Sequence, residues 1–277
     1  MPPSQPTGPS GIKTSMNRES DFSDSGWVWG KHAVGELLRT NPDQAALVLL
    51  SSGYRGRKEI EDLCRRRGIP LTVLEPREFL RRSKSPVHQS PAVQLKSEFA
   101  FTPLEELLGK FPAAADPPPI LLALDHIQDP QNLGALIRTA YCAGVTGVVM
   151  PRDRACPVSG AVRKAASGAL EHLPLCQVTN LARTLDLLKE KGFWLLSLDA
   201  AGTTDIYHVD FQIPLVVVIG SEGQGVSPLV LKKSDWTASI PLTGKLTSLN
   251  ASAAGAVVLF EIQRQRRTGR GVGNSGN

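Results

Sequence analysis

Four nearly continuous apolar runs limit what this chain can fold into: residues 120–124 (ILLAL), 147–150 (GVVM), 193–198 (FWLLSL) and 215–219 (LVVVI). A strand that faces water on one side alternates apolar and polar residues. A run without a polar face is buried on both sides, as in a parallel sheet covered by helices. The intervening residues 133–143, 159–166 and 180–191 carry apolar positions at helical spacing, and 253–265 supplies a final helix. Most of the chain is therefore predicted to be α/β, built on a parallel sheet.

A smaller α/β unit is predicted ahead of it. A helix follows Gly30 (KHAVGELLR), a strand covers 45–50, a helix over 58–67 closes at Gly68, and extended segments lie at 71–74 and 92–96. Residues 99–119 hold one short helical stretch and end in Pro117-Pro118-Pro119, a stiff extended spacer that marks a boundary. The expected organisation is a disordered tail over 1–26, a small domain over 27–98, a linker over 99–119, a second domain over 120–267 and a flexible tail over 268–277. The first tail holds four Pro, six Ser and three Gly with no apolar block.

The net charge of +5 is unevenly placed. Residues 27–99 carry 13 Lys and Arg against 8 Asp and Glu, whereas residues 100–267 carry 15 of each. Lys and Arg supply the sequence-independent part of nucleic-acid affinity, so the small domain is the candidate polyanion binder. Arg65, Arg66 and Arg67, together with Arg81, Arg82 and Lys84, are the candidate RNA contacts; for the first cluster, complementing a helix dipole is an equally good account.

Several chemistries are disfavoured. No run reaches the roughly 18 to 20 apolar residues of a membrane span. The four cysteines form no CxxC pair and the five histidines no HExxH, which points to reduced thiols in a cytoplasmic protein and to no metal. The first long strand ends in Leu124-Asp125-His126-Ile127 without GxGxxG, and Gly220-Ser221-Glu222-Gly223-Gln224-Gly225 has the wrong spacing for a dinucleotide fingerprint. Thr243-Gly244-Lys245 resembles the end of a P-loop, but Ser239 stands where its first glycine belongs and Leu246 where Ser or Thr would hold magnesium.

Three blocks remain, each following a predicted strand, where open α/β sheets place their ligands. In residues 124–140 (LDHIQDPQNLGALIRTA), Asp129-Pro130 turns the chain and Asn132 is a candidate helix cap. Gly134 lies one turn before Arg138, which leaves the guanidinium beside open space. In residues 216–225 (VVVIGSEGQG), a buried strand stops at Gly220, and the small residues around Glu222 let a ligand approach the main chain. In residues 240–252 (IPLTGKLTSLNAS), Ser248 and Asn250 offer hydrogen bonds beside the apolar Ile240, Leu242 and Leu249. Each block alone also reads as an ordinary cap or turn; their order and joint presence are specific.

Carrying these three blocks in this order, residues 27–267 resemble the SpoU, or TrmH, class of RNA ribose 2'-O-methyltransferases. Within the class the chain is most similar to the RlmB type, which modifies a guanosine of 23S rRNA. The GKHAVGELL start, Pro86-Val87-His88-Gln89, and residues 178–184 (VTNLART) carry that closer likeness. The resemblance implies an L30e-like N-terminal domain, a catalytic domain with a trefoil knot, S-adenosylmethionine as methyl donor, and a homodimer with the active site at its interface.

On matched positions it implies Arg138 as the catalytic arginine, surrounded by Asn132, Glu222, Ser248 and Asn250. Gly220, Ser221, Ile240, Leu242 and Leu249 become the donor contacts. The proton acceptor stays open between an RNA phosphate held by Arg138, Arg138 itself and Glu222, because a guanidinium is a poor base. His126 receives no role in this reading beyond a structural one at the strand end. A tRNA substrate and a catalytically silent rRNA-binding assembly factor are the alternatives.

Overall fold

The structure, a computed structural model, describes residues 26–83, 90–111, 115–244 and 246–270. Lys84, residues 86–89, residues 1–25 of the expected first tail and residues 271–277 of the expected last one lie outside the described residues, whereas residues 268–270 of that last tail continue the final helix. Among the described residues no helix is long and apolar enough to cross a membrane.

The smaller unit runs β1 (Trp27–Trp29), α1 (Lys31–Thr40), β2 (Ala45–Ser51), α2 (Arg57–Arg67), β3 (Leu71–Leu74), α3 (Pro76–Ser83) and β4 (Ala92–Leu95). Its sheet has the order β1-β4-β2-β3, with only β2 and β3 parallel. Val34, Leu37 and Leu38 of α1 and Ile60 and Cys64 of α2 bury one face of the sheet. Trp27, Trp29 and Phe79 cover the other.

The larger unit begins with α4 (Leu104–Leu108), β5 (Ile120–Asp125), α5 (Pro130–Cys142), β6 (Gly147–Pro151), α6 (Gly160–Ala166), β7 (Leu175–Val178) and α7 (Leu181–Glu190). It continues through β8 (Trp194–Leu198), β9 (Thr204–Asp205), β10 (Leu215–Gly220), α8 (Pro228–Leu231), β11 (Trp236–Ser239) and α9 (Ala251–Arg270). Seven parallel strands lie in the order β7-β6-β5-β10-β8-β11-β9. Every residue of β5 and β10 is buried, with Leu122, Leu124, Val217 and Ile219 in one core and Leu121, Ala123, Val216 and Val218 in the other. Side chains that alternate between two cores need no polar face, and each buried Leu or Val contributes about 1.5–3 kcal/mol.

The chain leaves β5 toward β6 and β7, then builds β8 on the other side and returns to insert β10 beside β5. Strand order reverses at β5 and β10, and the crevice beyond their carboxyl ends is where such sheets bind ligands.

The segment expected to act as a spacer packs onto the larger unit. Thr102 N–H donates to Leu175 O at 2.9 Å, Leu107 is fully buried, and the rings of Phe111 and Phe193 meet edge to face. The buried Arg266 of α9 donates to the carbonyls of Phe211, Ile213 and Pro118, which holds the triple proline against the sheet.

The two units also touch. The Trp29 ring lies against Gly160 at the start of α6, and Glu171 accepts from Asn41 Nδ2 at 2.7 Å and from Arg163 Nη1 at 3.2 Å. Burial pulls the Arg163 pKa down while Glu171 pushes it back up. Three of the four free cysteines are buried, and burial pushes the Cys64 and Cys176 thiols up to about 11; only Cys142 is exposed.

Candidate active site

The ends of β5 and β10 are paired residue for residue, Asp125 opposite Gly220, so the loops that follow them start side by side. Asp125 is buried, and its Oδ2 accepts the Ser227 N–H at 2.7 Å, tying the β10 loop to the β5 end. Asp129 then caps α5 by accepting the Asn132 N–H at 2.8 Å, with Pro130 in the first turn. The sequence pointed to Asn132 as the cap. Proline, which lacks an N–H and has a fixed φ, favours the first helical position and so puts the cap at the residue before it. Asn132 is left with a free side chain.

That side chain joins three loops. Asn132 Nδ2 donates to Glu222 Oε1 at 2.9 Å, and Asn132 Oδ1 accepts from Asn250 Nδ2 at 2.9 Å. Asn250 Nδ2 also donates to Glu222 Oε1, closing the triangle. Asn250 Oδ1 meanwhile accepts the Ser252 N–H at 2.9 Å, the Ser252 hydroxyl at 2.6 Å and the Ala253 N–H at 3.3 Å, so the same residue starts α9. Asn132 is buried while Glu222 and Asn250 are exposed, so the triangle has a solvent side open to a substrate.

Gly220 explains the shape of the β10 loop. A Cβ there would overlap the backbone of Gly225, because the 221–225 turn folds back on the strand end and Gly225 N–H donates to Ser221 O at 2.9 Å. The close approach expected of a ligand at Gly220 is made by the chain itself.

Beside the triangle lies a cleft of about 810 Å³ between this turn and the loop after β11. Gly220, Ser221, Ile240, Leu242 and Leu249, the expected donor contacts, all line it, as do Glu222, Ser248 and Asn250. Leu242 and Leu249 are each 40% exposed and Leu246 is 80% exposed, which leaves an apolar wall uncovered in this chain. Asp199, at the end of β8, also lines the cleft and was missed from sequence; the strand-end rule that selected the other loops applies to it equally.

Arg138 is placed elsewhere. It is exposed on α5, where Nη1 donates to Ser167 Oγ at 3.3 Å, and it lines neither the cleft nor the neighbouring cavity. Six residues beyond Asn132, it points about 120° around the helix and lies about 9 Å along it. Within one chain the four polar residues do not surround it. Gly134 does not open space beside it either: a Cβ there would meet Ala165 and come within 2.7 Å of Val162 O, so this glycine lets α5 and α6 approach.

The basic candidates lie on the small unit. Arg65, Arg66 and Arg67 form the last turn of α2, where Arg65 pairs with Asp62 at 3.2 Å and Arg66 and Arg67 border a groove with Arg39. Arg81 and Arg82 are exposed in the last turn of α3. None of them lines the cleft.

Residues 119–260 match the model of the SpoU rRNA Methylase family, and residues 27–97 match a model described as RNA 2'-O ribose methyltransferase substrate binding. The chain is 38% identical over 243 residues to the 23S rRNA (guanosine-2'-O-)-methyltransferase RlmB of Pseudomonas aeruginosa, covering 86% of this chain and 96% of the relative. It is also 38% identical over 242 residues to an uncharacterized tRNA/rRNA methyltransferase of Mycobacterium avium, covering 87% and 77%. Its fold matches the SpoU methyltransferase AviRb of Streptomyces viridochromogenes, solved with AdoMet, at a TM-score of 0.72 and 24% identity over 88% of this chain and 91% of that one.

Proposed function

The chain belongs to the SpoU rRNA methylase family, and from that premise we propose that it transfers a methyl group from S-adenosylmethionine to the 2'-hydroxyl of a guanosine in 23S rRNA, in the cytoplasm. The observation that carries this reading is the triangle of Asn132, Glu222 and Asn250 at the edge of an apolar-walled cleft. The cleft fits the donor. Ile240, Leu242 and Leu249 offer aliphatic surface for an adenine, and the strand ends and turn offer backbone hydrogen bonds.

The sulfonium supplies an already activated methyl group, so what remains for the protein is positioning and help with one proton. Asn132 and Asn250 have fixed orientations because each bonds to Glu222 and to the other. A fixed amide holds a hydroxyl group without reorganising. Arg138 completes this site from a second copy of the chain, where its guanidinium holds an RNA phosphate bidentately and orients the attacking hydroxyl. The exposed position of Arg138 on α5, away from its own chain's cleft, supports a homodimer with the site at the interface.

A trefoil knot at the C-terminal end and an L30e-like small domain belong to the same proposal. The knot is supported by the loops after β10 and β11 facing each other across one cleft and by α9 packing back on α5. The small domain's role in holding RNA is supported by its match to a substrate-binding model and by its basic excess. Calorimetry with S-adenosylmethionine tests the reading. One donor bound per chain is expected, and a folded protein that binds none is the silent RNA-binding factor instead.

A further inference from the structure

A second cavity, of about 430 Å³, lies across the 221–225 turn from the cleft, and the roles described so far leave its far wall unused. Ser221 and Glu222 line both. Its far wall includes His126 and Arg154, whose φ angles are 60° and 55°. Among the described residues only three non-glycine residues have positive φ, and two of them border this one cavity. A left-handed backbone costs an ordinary residue about 1–2 kcal/mol, and such outliers concentrate where a site requires them.

His126 is held in place. Its Nδ1 lies 2.7 Å from Oδ1 of Asp125, whose other oxygen holds the Ser227 N–H. With Nδ1–H given to Asp125, only Nε2 is left to face a ligand, and the ring is 34% exposed. The Arg154 guanidinium has no hydrogen bond or ion pair to another described residue. The acidic residues of the lining are engaged: Asp129 Oδ1 accepts the Asn132 N–H, and Glu222 Oε1 accepts two side-chain amides. No Phe, Tyr or Trp lines the cavity, so it lacks the usual platform for stacking a base.

We propose that this cavity binds a backbone phosphate of the RNA strand, next to the ribose that is methylated, between His126 and Arg154. The proposal rests on the methyltransferase reading, because the shared Ser221–Glu222 wall is what puts a flanking phosphate here when the ribose faces the donor cleft. An imidazolium donates from both nitrogens, one to the Asp125 carboxylate and one to the phosphate; the neutral ring serves only one of these anions. Arg154 adds the guanidinium fork that suits phosphate.

Steady-state methyl transfer to 23S rRNA by the wild type, His126→Asn and Arg154→Asn tests this at several salt concentrations. Asparagine tolerates a left-handed backbone, and His126→Gly serves as a second variant free of that strain. Each substitution is expected to raise the RNA KM about tenfold with kcat within about twofold, and to lower the salt slope by about one. Unchanged RNA KM and salt slope in the variants, or a loss confined to kcat, would overturn the phosphate site while leaving donor binding and transfer intact. A wild type that binds no donor and methylates no RNA removes the underlying reading and this site with it.

Discussion

The polar side chains of the two sheets serve opposite ends. In the seven-stranded unit, Asn132 of α5 bonds to Glu222 and Asn250, 90 and 118 residues further along the chain, and these two bond to each other, so each fixes the others' orientation. In the four-stranded unit, Arg65–Arg67, Arg81 and Arg82 sit in the last turns of two helices, and Arg65 pairs only with Asp62 three residues away. A network in which every group is held suits chemistry at one atom. Scattered, solvated cations suit attraction to a polyanion, where each contributes a similar increment. The charge totals follow the same division, with the excess in the small unit and balance in the large one.

Substitution tests that division, and the largest effect is expected in the network. Asn132→Ala and Arg138→Ala are each expected to lower kcat by about a hundredfold or more while calorimetry shows donor still bound. Mixed together, the two inactive proteins are expected to regain part of the activity, because a dimer with one of each keeps one complete site. Failure to regain any, with mixed dimers demonstrated, returns Arg138 to its own chain's surface.

A smaller loss is expected where helices meet. Gly134→Ala puts a methyl group against Ala165 and Val162 O and is expected to destabilise the fold by about 1–3 kcal/mol. A melting temperature equal to that of the wild type would mean that α5 and α6 have room this packing denies. The smallest effect belongs to the small unit. Replacing Arg66 and Arg67, or Arg81 and Arg82, with Ser is expected to raise the RNA KM about tenfold and reduce the salt slope by one to two, with kcat and donor affinity held. A hundredfold loss of kcat from either pair would erase the contrast between the two sheets.

Much of this arrangement is legible in the sequence, and the gaps have physical causes. The long strands announce themselves because burial on both faces removes their polar positions, as in β5 and β10. The elements left unassigned, β1, β7, β9, α3 and α8, are short, and β9 with only Thr204 and Asp205 stands at a sheet edge where no apolar pattern is required. The three loops are readable by their strand-end positions, and so was Asp199. Pro130 was enough to move the cap from Asn132 to Asp129, and helical arithmetic alone separates Asn132 from Arg138. The left-handed backbones of His126 and Arg154 had no such signal, because nothing in a side chain that ordinarily avoids that region marks it as being there.

The most direct test of the central claim, that the cleft beside the Asn132–Glu222–Asn250 triangle serves RNA ribose methylation, is transfer itself. Protein and methyl-labelled S-adenosylmethionine are incubated with total RNA from cells lacking the enzyme, and the labelled nucleotide is mapped. The expected result is label in a single 2'-O-methylguanosine of 23S rRNA, abolished by Asn132→Ala. Label on a nucleobase, or no label from a protein that binds the donor, would contradict it.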